Sequence, residues 1–100
     1  MSTHDHPAIE LPERLRIDAV EALTEQARET LDRGAALRLD ANSVQDVDTA
    51  GLQLLAMLRR EARRRKQPMH IEYPTPALEE GLQRLGLHAL VMEDHGGTAA

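Results

Sequence analysis

Apolar residues recur along this chain with two different periods, and their alternation lays out the elements in order. Residues 8–15 alternate apolar and polar positions, the period of a half-buried strand, and Pro12 marks that strand as an edge or as its own end. Asp18 followed by Glu21 has the spacing of a capping box and predicts a helix start. Val20, Leu23, Ala27 and Leu31 then repeat at helical spacing, and Gly34 is placed to stop the helix. Residues 35–39 form a short apolar run broken by Arg38, the length of a buried strand, and residues 40–46 are a polar connector. Val47 resumes an extended chain that turns into a second helix at Thr49 or Ala50 and runs to about Lys66. Gly51, Leu54, Leu55, Leu58 and Ala62 share one face of it, which belongs to the core. Pro68 ends this helix, and residues 69–73 alternate as a strand. Thr75-Pro76 is an N-cap and first-turn pair for a third helix carrying Leu78, Leu82 and Leu85, with Gly86 as its stop. Residues 90–92 read as a last short strand.

Strand and helix units that alternate in this way predict an α/β fold with a small, mixed, mostly parallel sheet flanked by helices. A length of 100 residues fits one domain, placed at residues 8–92 with flexible tails at 1–7 and 93–100. The core is aliphatic, because Tyr73 is the only aromatic residue. Base stacking on several aromatic rings is therefore excluded as a binding mode. A net charge of −5 disfavours general affinity for DNA or anionic lipid. The chain has no cysteine, hence no disulfide, thiolate nucleophile or thiolate metal site. It has neither a secretory leader pattern nor the roughly 20 apolar residues that cross a bilayer. A cytoplasmic protein, without insertion into a membrane, is the expectation.

Candidate chemistry concentrates at the junction Asp48-Thr49-Ala50-Gly51-Leu52. A helix start gathers unpaired N–H groups and the positive end of the helix dipole, so Asp48 and Thr49 there can cap the helix, or Thr49 can carry a phosphate held by the same amides. Placing residues at 100° intervals sets Leu52, Ala56, Arg59 and Arg63 on a stripe beside the core face, a docking ridge for an acidic partner. The cations Arg59, Arg60, Arg63, Arg64, Arg65 and Lys66 are read as a solvated helix end that complements the C-terminal dipole, not as a nucleic-acid site. His4, His6, His70, His88 and His95 lack the spacing of a zinc site. Removal of Met1 would leave Ser2-Thr3-His4, a terminus able to chelate Cu(II) or Ni(II), read as incidental. There is no phosphate-binding glycine loop or nucleophile elbow, so neither an enzyme nor a cofactor is expected.

The whole pattern resembles the STAS family, to which the bacterial anti-sigma-factor antagonists belong. The resemblance rests on residues 37–41, residues 47–55, the extended stretch 69–73, and Thr75-Pro-Ala-Leu with Leu85-Gly-Leu87. It implies a sheet flanked by helices, no catalysis, and binding of a protein partner through the surface of Asp48, Thr49, Ala50, Gly51 and Leu52. In phospho-regulated members the hydroxyl residue just before the glycine is phosphorylated by a kinase-type anti-sigma factor. Here that position is Ala50, so Thr49 is the only phosphoacceptor candidate in the motif. Asp-Thr-small-Gly-Leu is similar also to STAS subunits of lipid-transporting ABC systems, in which the threonine matters for assembly, and to STAS proteins that work beside signalling kinases. The leading expectation is thus an anti-sigma-factor antagonist, monomeric or weakly dimeric, that binds a serine kinase. The alternative is a cytoplasmic subunit docked on an ABC ATPase.

Overall fold

The structure is a computed structural model, and residues 8–92 are described. The expected tails at 1–7 and 93–100, and with them Ser2-Thr3-His4, lie outside the described residues. The alternating stretch at 8–15 forms two short strands, β1 (Ile9–Glu10) and β2 (Arg14–Leu15). Pro12, which has no N–H to donate, separates them. Both pair with the same later segment, β1 with β3 (Leu37–Asp40) and β2 with β4 (Asp46–Val47). Backbone bonds continue across the gap: Leu11 N–H donates to Asp40 O, and the amides of Gln45 and Asp46 both donate to Glu13 O. The expected single strand is therefore present as a pairing line, and residues 41–45 loop out beside Pro12.

β5 (Met69–Glu72) joins β3 on its other side, giving a sheet ordered β1-β3-β5 and a second of β2-β4, with every pair parallel. The register decides which face is buried. Ile9, Leu37, Leu39, Met69 and Ile71 share one face and meet the core, whereas Glu10, Arg38, Asp40, His70 and Glu72 share the opposite, polar face. On the polar face Arg38 Nε donates to Glu72 at 2.8 Å, which holds the Glu72 carboxyl below its ordinary value.

The apolar face is covered by α1 (Ile17–Asp32) and α2 (Thr49–Arg64). These lie side by side and point the same way, since both begin at Asp48 and their far ends are tied by Arg65 to Asp32 at 2.7 Å. The predicted stripes hold, with Leu23, Ala27 and Leu31 buried on α1, and Gly51, Leu54, Leu55, Leu58 and Ala62 buried on α2. The capping box does not form. α1 starts at Ile17 after Arg16, which supplies no side-chain cap, and the helix takes its cap from Asp48, 31 residues away.

Thr75 caps α3 (Pro76–Arg84) as expected, accepting from Leu78 N–H while its hydroxyl donates to Val44 O at 2.7 Å. Residues 90–92 are not a strand. They belong to α4 (His88–Met92), in which Val91 N–H donates to Leu87 O and the Val91 side chain is buried. A run of three apolar residues fits either period, and here Leu87 and Val91, one helical turn apart, both reach the core.

Candidate functional site

The junction after β4 is built around one carboxylate. Asp48 N–H donates to Leu15 O, which ties the junction to β2. Asp48 Oδ1 accepts from Gly51 N–H at 2.9 Å, capping α2, and Oδ2 accepts from Ile17 N–H at 3.0 Å, capping α1. One side chain thus sits at the positive ends of two parallel helix dipoles. The Gly51 amide is the chief cause of a carboxyl held below its ordinary value; the Ile17 amide and the charge of Arg16 act the same way, against the cost of partial burial. Arg16 is fixed in turn by Asp46, with Nη1 at 3.2 Å from both carboxylate oxygens.

Gly51 is buried, and its role is close approach. A methyl group there would collide with the Leu15 carbonyl oxygen and stand 2.9 Å from Leu15 Cγ, so only glycine lets α2 start this near β2. Leu52 is also interior. Its methyls lie against Gly81 of α3, where an added Cβ would meet them at 3.2 and 3.3 Å.

The expected docking ridge is therefore not a ridge. Leu52, Ala56 and Arg59 are buried, and of the four only Arg63 is exposed. α3 covers the Leu52 end, and α4 covers the Arg59 end. Arg59 donates to Leu90 O at 3.2 Å, to Met69 O at 2.9 Å and to Val91 O at 2.6 Å, so it links α2 to β5 and α4. Glu61 and Arg65 occupy the opposite flank, facing α1 through Asp32. What remains open on α2 is the crest between the flanks: Thr49, Gln53, Met57, Arg60 and Arg64 are all exposed. Ala50 is half-buried on this helix, and Ile17, whose amide bonds Asp48, is 66% exposed.

The cation tract divides: the solvated-end reading fits Arg60, Arg63, Arg64 and Lys66, which are exposed, but not Arg59, which is buried. Arg59 is spent inside the molecule, and Arg64 and Arg65 both hold Glu61. Those two guanidiniums, Arg64 first, hold the Glu61 carboxyl down to about 2. Among the described residues no group of carboxylates and histidines is arranged to hold a metal ion, and no helix is long and apolar enough to cross a membrane.

Residues 1–92 match the family described as Mlab, STAS domain. The chain belongs to the STAS domain family. No curated protein and no solved structure matches it. STAS domains generally mediate protein–protein contacts and are generally non-enzymatic. In this STAS domain the motif divides by position: Asp48 and Gly51 build the helix junction, Leu52 packs under α3, and Thr49 with Ala50 remains at the surface. Sequence reasoning did not single out Ile17 and Met57 as exposed apolar residues. The signal for Met57 was present, since Thr49, Gln53 and Met57 repeat every four residues opposite the core face. For Ile17 there was none, because only the partnership with Asp48 brings it to the motif.

Proposed function

We propose that this STAS domain is a non-enzymatic docking module of the bacterial cytoplasm, which binds a protein partner through the exposed face around Thr49 as a fixed surface. Of the two partners suggested by the resemblance, the ATPase of a lipid-transporting ABC system is favoured over a kinase-type anti-sigma factor. The observation that carries this choice is the seat of Asp48. A phosphate on Thr49 would need the free amides and the dipole of the α2 start, and the Asp48 carboxylate is already bound there to Gly51 N–H and aligned with the dipole. A second anion beside it meets repulsion instead of a cradle. The absence of a hydroxyl at Ala50 and the match to the Mlab type of STAS domain support the same reading.

The test is an affinity pull-down from the native cytoplasm with the parent chain and with Thr49→Glu, analysed by mass spectrometry for partners and for phosphate on Thr49. An ATPase recovered by the parent, with Thr49 unmodified and recovery reduced for Thr49→Glu, is the expected result. Recovery of an anti-sigma kinase together with phosphorylated Thr49 would restore the anti-sigma-factor antagonist reading and overturn the fixed dock.

A further inference from the structure

Every polar atom of Asp48 has a partner inside the molecule. Its N–H donates to Leu15 O, its carbonyl accepts from Leu52 N–H, Oδ1 accepts from Gly51 N–H at 2.9 Å and Oδ2 accepts from Ile17 N–H at 3.0 Å. The bond to Gly51 is local, and any good N-cap residue makes one like it. The bond to Ile17 reaches across 31 residues. Helix α1 depends on it, because Arg16 at the N-cap position makes no side-chain capping bond. One carboxylate thus ties the start of α1, where Ile17 is 66% exposed, to the residue that precedes Thr49.

Resting on the docking reading above, we infer that Asp48 is a positioning residue of the dock: it orders the start of α1 as part of the surface that carries Thr49, and it acts on partner binding through Ile17 N–H rather than by touching the partner. The physical reason is where the ordering cost falls. With the bond in place, α1 is ordered from Ile17 onward before the partner arrives. Without it the first turn frays and docking has to order that turn again, so the lost cap reappears as lost affinity. Two substitutions isolate this bond. Asparagine at position 48 has one amide oxygen, which still accepts from Gly51 N–H, while its NH2 group meets Ile17 N–H donor to donor. Proline at position 17 has no N–H to donate, and its φ is preset for a first helical position. Arg16, with φ −125° and ψ 179°, already has the extended backbone that suits the residue before a proline.

The test is a double-mutant cycle on the full chain. Asp48→Asn, Ile17→Pro, the two together, Thr49→Glu and the distant Val91→Ala are titrated against the purified ATPase that the parent recovers, and hydrogen exchange is followed on each free variant. Asp48→Asn should speed exchange in the first turn of α1, leave α2 protected, and weaken binding about fivefold, the size of one lost helix cap. In the Ile17→Pro background the same substitution should change binding little, because no amide is left for Asp48 to hold. Val91→Ala, which trims a buried side chain of α4, should lower stability and leave binding unchanged. An equal loss from Asp48→Asn in both backgrounds would mean that the carboxylate meets the partner directly, and no loss in either would mean that the start of α1 lies outside the dock. Exchange at the start of α1 that Asp48→Asn leaves unchanged is equally fatal. Each of these results overturns the inference while the dock stands, as long as Thr49→Glu loses binding. If Thr49→Glu binds as tightly as the parent, or the parent recovers no ATPase, the docking reading falls and the inference falls with it.

Discussion

At the scale of single residues the motif is first a joint and only then a surface. Asp48 bonds two amides that begin two different helices, so one carboxylate links the starts of α1 and α2. Gly51 lets that joint close by removing the atom that would strike Leu15. In an exposed helix a Gly→Ala substitution stabilises by about 1 kcal/mol. At Gly51 the sign reverses, because the obstacle is backbone and does not swing away. Gly51→Ala should destabilise the domain by about 2 kcal/mol, the usual cost of overpacking, seen as a lower urea midpoint at unchanged slope. A midpoint above that of the parent would show that β2 can retreat from α2 without loss.

At the scale of elements α2 has four sides with four tasks. The core side carries leucines, one flank meets α1 through Glu61 and Arg65, the other is covered by α3 and α4, and the crest is open. Arg59 is the main tie on the covered flank, since its guanidinium satisfies carbonyls from β5 and from the end of α4. A helix of five residues has little stability of its own. Arg59→Met keeps the bulk but leaves three carbonyls without this donor, and should cost about 2 kcal/mol. Hydrogen exchange should accelerate in α4 well before it does in α1. Equal acceleration in both helices would mean that α4 is held by its apolar contacts and not by Arg59.

At the scale of the molecule, several carboxylates are stabilised as anions by the fold. Glu61 is held at about 2, and Asp48 and Glu72 are also held down. In the unfolded chain such groups titrate near about 4. A folded value below the unfolded one contributes stability that is fully present above the unfolded value and is lost as pH falls toward the folded value. The melting temperature should therefore be level from about pH 7 to 5 and fall between about pH 5 and 2. Glu61→Gln should make that acid limb shallower, and an unchanged limb would show that the Arg64 and Arg65 contacts do not persist in solution.

Much of this was written along the chain, because it depends on neighbours in sequence. The helix stripes, save for Leu85, which caps α3 and is exposed, the Thr75 cap, the glycine stops at Gly34 and Gly86 and the parallel α/β order are local patterns, and period and capping chemistry suffice for them. The junction at Asp48 was equally legible as a helix start. Other features follow from contacts between residues far apart in sequence. The Ile17 amide needed Asp48, 31 positions away, so the capping box at Asp18 and Glu21 misplaced the start of α1. Residues 90–92 became helix because Leu87 and Val91, one turn apart, both reach a core built from the rest of the chain. The open face of α2 was decided in the same way: helical periodicity ranks Leu52, Ala56 and Arg59 only as lying beside the core face, and it cannot tell which flank α3 and α4 will cover. The sequence by itself determined the elements, their order and the position of the motif, whereas the tertiary structure alone decided which of its side chains face water, because exposure depends on what packs from the rest of the chain.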